Sequence, residues 1–139
     1  MKKTTCTLLA IMAIFFSLSS CSRLSDNWAA LMERAKTYGY TAESISGDEA
    51  DDFLSEFDED GEDVETLVLI EPTAPSYGTN GVGCFIFCDN TKRANEMHAS
   101  IKAFFEENAN SFSYFDDLCV KIKGRIVFFG SEETFDKFD

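Results

Sequence analysis

The sequence predicts an α+β fold, an antiparallel sheet of about four or five strands with helices on one face. The element order, βαββαβ, is that of a ferredoxin-like arrangement, extended by an N-terminal helix and a C-terminal hairpin and helix. Three observations lead there. Two short runs, 64–70 and 82–88, are apolar at nearly every position, as central strands are. Apolar stripes at helical spacing precede and follow them. Near the end, 118–123 alternates, Gly124 supplies a turn, and 125–129 returns as the second arm of a hairpin.

Each element has a local reason. Asp26 is placed to cap a helix over about 27–38, whose stripe is Trp28, Leu31, Met32 and Ala35, and Gly39 is placed to end it. Tyr40 to Ile45 alternates weakly and reads as a short strand. A second helix, about 49–58, carries Ala50, Phe53, Leu54 and Phe57, with acids in its first turn where the helix dipole favours them. Asp58 to Asp63 is a charged turn around Gly61. Pro72, Pro75, Gly78, Asn80 and Gly81 make a loop between the two apolar strands. Asp89-Asn90-Thr91 supplies capping residues for the longest helix, about 91–108, with the stripe Ala94, Met97, Ile101, Phe104 and Phe105. A polar and aromatic connection, 108–117, leads into the hairpin, and Ser131 is placed to cap a short last helix carrying Phe135 and Phe138.

Charge narrows the partners. The formal net charge is −13 over 139 residues, and no Lys or Arg lies between Lys36 and Lys92. Such a balance opposes binding to nucleic acid phosphates or to an anionic membrane surface, so no nucleic acid partner is expected.

The N-terminus locates the protein. Met1-Lys2-Lys3 is a charged start, and the apolar run 8–18 is little more than half of the ~20 residues a membrane span needs. The run ends in Leu18-Ser19-Ser20-Cys21, which resembles the bacterial lipobox. The resemblance implies a signal peptide 1–20 that is cleaved before Cys21. It also implies a diacylglyceryl thioether on Cys21, where thiolate nucleophilicity is required, and acylation there. Two or more chains suffice for stable anchoring. The implied product is a lipoprotein, with 21–25 as lipidated N-terminus and short tether and 26–139 as one acidic domain. It sits on the extracytoplasmic face of the cell membrane, or at the outer membrane of a two-membrane bacterium, where Ser22 supplies no inner-membrane retention. So short a tether holds the domain close to the bilayer, with its acidic face turned outward. The domain is also similar to small uncharacterised lipoproteins of Gram-positive bacteria in Gly39-Tyr40 and the late hairpin 120–129, a likeness that brings no activity.

Candidate chemistry is sparse. Residues 56–67 can be laid on a calcium loop with Gly61 at the sixth position, but Leu67 stands where a bidentate Glu is needed. The expectation is a solvated acidic turn, with weak divalent-cation association at Asp58, Asp60 and Glu62 as the alternative functional reading of 56–65. Cys84 and Cys88 are separated by about 13 Å along one strand and cannot pair with each other. Either reaches Cys119 if the strands are adjacent; otherwise all three are small core residues. His98, the only histidine, sits at the edge of a helical stripe, the usual place of a structural histidine. The glycine-rich 78–83 leads into a strand, unlike a phosphate loop, which opens a helix. No catalytic constellation and no cofactor follow from these residues. The aromatic connection Phe112-Ser113-Tyr114-Phe115 reads either as core or as a recognition patch. The expectation is therefore a non-enzymatic, lipid-anchored surface domain that binds a protein or envelope partner through its sheet edge or aromatic connection.

Overall fold

The computed structural model describes residues 24–74 and 81–139. The signal-like segment, Cys21 and most of the proline- and glycine-rich loop lie outside them. The elements are α1 (Trp28–Thr37), β1 (Tyr40–Ile45), α2 (Gly47–Ser55), β2 (Val64–Pro72), β3 (Gly83–Cys88), α3 (Thr91–Glu107), a 3-10 turn (Ala109–Phe112), β4 (Leu118–Lys123), β5 (Ile126–Ser131) and α4 (Glu132–Phe138). The class is α+β, and the five strands form one antiparallel sheet in the order β1-β2-β3-β5-β4.

Two finer expectations are corrected. A split βαβ unit holds its two strands apart and parallel, whereas β1 pairs directly with β2, antiparallel, from Tyr40 against Pro72 to Ile45 against Leu67. The connection returns to the end of the sheet it left. Asp58 and Asp63 adopt positive φ (57° and 55°) on either side of Gly61, a left-handed conformation that Asp tolerates better than most residues. The helices also cover both faces, not one. Leu31, Ala35, Phe135 and Phe138 of α1 and α4 pack with Val68, Ile70, Phe85, Phe87 and Phe128. Ala50, Leu54, Ala94, Met97 and Ile101 of α2 and α3 pack with Leu67, Cys84, Ile86, Cys88 and Val127 on the other side. Strands apolar on both faces require a cover on each.

Local chemistry shifts the details. Asn27, not Asp26, caps α1, accepting from the N–H groups of Ala29 and Ala30 at 3.0 and 3.2 Å. Asn90 caps α3 through the N–H of Arg93. Ser131 precedes α4 but makes no side-chain cap; its hydroxyl donates to Asp117 Oδ2 at 2.5 Å. Leu24 is buried on the α1 and α4 side. Among the described residues, the buried members of both apolar clusters run from Leu24 to Phe138.

Candidate functional site, an apolar cleft at one end of the sheet

Side chains alternate across a strand, so register places the floor of the site. Leu69 faces Cys84, and Cys84 faces Phe129, forming one row across β2, β3 and β5 on the α2 and α3 side. One step towards the strand ends, Glu71, Val82 and Leu118 continue that face. Phe53 of α2, Phe105 of α3, and Phe112 and Phe115 of the aromatic connection form the walls. They enclose a cleft of about 310 Å³, a volume typical of small-molecule sites. The hollow has a simple origin: Cys84 is short where its row neighbours are Leu69 and Phe129.

The rings interlock. Phe105 meets Phe112 edge-on at 4.9 Å and Phe129 at 5.7 Å, while Phe53 stacks over Phe129 at 6.2 Å. Phe112 and Phe115 also bound a second hollow, about 400 Å³, whose outer side carries Lys102 and Glu106. The aromatic connection is thus part wall and part surface: Phe112 is packed, and Tyr114 is 65% exposed with its ring 4.6 Å from that of Phe115. Val82, 41% exposed, stands at the rim. Among the described residues, Glu71 contributes the one carboxylate in the lining.

The strand adjacency on which a Cys119 pairing depended is not present. β5 separates β3 from β4, and Cys119 packs against the α1 and α4 cluster while Cys84 and Cys88 belong to the opposite one. All three are free thiols. Burial pushes the Cys84 thiol far up and raises Cys88 and Cys119 to about 11, so the nucleophilic thiolate is disfavoured at each. His98 is half-buried on α3 and is not part of the cleft lining.

The acidic turn is organised by a cation from the protein itself. Arg93 donates to Glu59 Oε2 at 2.8 Å, to the carbonyls of Asp60 and Glu62 at 2.9 Å each, and to Asp60 Oδ1 at 3.3 Å. Burial lowers the Arg93 pKa, but the hydrogen bond and charge of Glu59 outweigh it and raise the value. Asp60 Oδ1 also accepts from the N–H of Glu62, and Asp51 Oδ1 accepts from the N–H of Gly61 at 2.6 Å. Of the three candidate ligands, Asp60 is thus engaged by Arg93, Asp58 sits at a left-handed turn position, and Glu62 offers its backbone to Arg93. Among the described residues, no group of three or more His, Cys, Asp or Glu is placed to hold a metal ion. Nor, among them, is any helix long and apolar enough to cross a membrane.

Searches against protein-family models, curated proteins and solved structures returned no match. The cleft was legible in the sequence only in part. The aromatic connection stood out, but Phe53, Leu69, Glu71, Val82 and Cys84 read as ordinary helix, strand and loop residues. Their one shared signal is a small residue, Cys84, at a buried strand position flanked in space by large ones.

Proposed function

We propose that this chain is a lipid-anchored, extracytoplasmic binding domain of the bacterial envelope, without catalytic activity, that takes an apolar small molecule into the cleft. The observation that carries the reading is the cleft itself, walled by phenylalanines, with the exposed residues Val82 and Glu71 in its lining. The lipobox-like Leu18-Ser19-Ser20-Cys21 supports the anchor. Leu24, three residues after Cys21, joins the core on the α1 and α4 side, whereas the cleft lies on the α2 and α3 side. The buried, protonated thiols and the Arg93-filled acidic turn favour binding over chemistry.

Two measurements test it. Mass spectrometry of the membrane-derived protein should find Cys21 as an acylated N-terminus, and an unmodified Cys21 removes the anchor. For the cleft, N-phenyl-1-naphthylamine, a neutral apolar dye, should bind the Cys21→Ser chain from residue 21 saturably. Val82→Trp, which places a large ring at the rim, should weaken that binding at least tenfold. A dye response that is absent or unaffected by Val82→Trp contradicts the assignment.

A further inference from the structure

The cleft's charge surroundings go beyond its apolar lining. β2 alternates with Leu67 and Leu69 on the α2 and α3 side and Val68 and Ile70 on the other, which puts Glu71 on the cleft side. In β1, Tyr40 and Ala42 belong to the opposite cluster and Ile45 to the cleft-side one. Glu43 therefore shares the cleft side, in the row where it faces Leu69. Both carboxylates are exposed, one at the rim and one beside the floor row. No compensating cation comes from these elements, because β1, α2, β2 and β3 all fall in the stretch between Lys36 and Lys92 that has no Lys or Arg. The nearest basic group on the aromatic side, Lys102, belongs to the outer hollow beyond the Phe112 and Phe115 wall, together with Glu106.

Two backbone carbonyls at this end are already engaged. The Val82 carbonyl accepts from the N–H of Ser131 at 3.0 Å, and the Asp117 carbonyl from that of Glu132 at 2.9 Å. Among the described residues of the lining, Glu71 is the charged side chain. What remains is an apolar space with negative charge at its mouth.

We infer that the cleft selects amphiphiles with a cationic head, an unbranched alkyl chain ending in an amine or similar cation, and discriminates against fatty-acid-like anions. At ~30 Å³ per water-sized unit, 310 Å³ accommodates a chain of about ten carbons. The head group then lies at Glu71, with Glu43 adding to the field, and a carboxylate head is repelled by both and by the net charge of −13. This inference rests on the proposed use of the cleft.

The experiment displaces N-phenyl-1-naphthylamine from the Cys21→Ser chain with n-decylamine or sodium decanoate at pH 7, each below its micellar concentration. Decylamine should displace the dye at about tenfold lower concentration than decanoate, a ratio in keeping with one attractive and one repulsive partly exposed pair. Glu71→Gln combined with Glu43→Gln should shrink the ratio below about threefold, with each displacement read against the variant's own dye affinity. Equal displacement by the two surfactants, a preference for decanoate, or a ratio unchanged in the double variant overturns the head-group selection. Saturable dye binding with no charge preference leaves the cleft assignment standing and removes only this inference. Failure of the dye to bind removes both.

Discussion

The two faces of the sheet are built from the same strands and finished differently. On the α1 and α4 side, Phe85, Phe128 and Phe138 are fully buried, with Phe85 at 4.7 Å from Phe128 and 5.4 Å from Phe138. The packing reaches down to the backbone. A Cβ at Gly83 would stand 2.5 Å from the Phe128 ring, and one at Gly130, whose φ is +141°, would stand 2.4 Å from the Val82 carbonyl. On the α2 and α3 side the corresponding end of the sheet carries Cys84 between larger neighbours and leaves a cleft. The α1 and α4 side keeps a smaller hollow, about 220 Å³, bounded by Tyr38, Tyr40, Glu133 and Lys137, whereas the incompletely filled apolar side keeps its cleft at some expense of stability.

The contrast can be broken in graded steps. Phe128→Ala, on the filled face, should destabilise the domain by about 3–5 kcal/mol in urea unfolding, whereas Phe129→Ala, half-buried in the cleft floor, should cost no more than about half as much. Equal losses would mean that the faces are packed alike. Arg93→Met should cost about 2–3 kcal/mol, since it leaves Glu59, 13% exposed, with Ser100 alone; the readout is the same unfolding midpoint together with faster proteolysis at 56–63. Gly83→Ala should cost about 1–3 kcal/mol through the collision with Phe128. Glu71→Gln, exposed at the rim, should change stability by less than about 0.5 kcal/mol, and its effect should appear only in head-group preference.

Alkaline titration sharpens the comparison from another side, because one or more thiols lie under each face. Below the ordinary thiol value of 9.0 the thiols are protonated both folded and unfolded, and their contribution is complete. As pH rises from there through about 11, the unfolded chain ionises first, so stability should fall across that window. Cys88→Ala should reduce the slope of that fall, as measured by urea midpoints at successive pH values; an unchanged slope would show that other groups set it. In the Cys21→Ser chain, Cys84 and Cys88 should react with a thiol reagent far more slowly than half-buried Cys119.

Elements with a strong local cause could be read in advance. Helical stripes, the turn at Gly124 and the alternation on either side of it gave β4, β5, α1 and α3 to within a few residues, because side-chain periodicity is a property of the chain itself. Even the weakly alternating 40–45 is a strand over that range. Caps were read less well. Asp26 and Asn27 are chemically interchangeable in that role, and only the backbone path selects Asn27. The adjacency behind a Cys119 pairing was not legible because strand order is a long-range property: β5 returns between β3 and β4 and places Cys119 on the other face.

By itself, then, the sequence determined the class of fold, the five strands, the acidic first half and the lipobox-like motif at Cys21, all set by composition or by residues near one another in the chain. The tertiary structure decided the strand order, the helical cover on both faces, the Arg93 clasp on the acidic turn and the cleft. Each of these depends on residues tens of positions apart, such as Phe53, Cys84 and Phe129. Whether space between such residues is filled or left open depends on the summed volumes of side chains that meet only after folding.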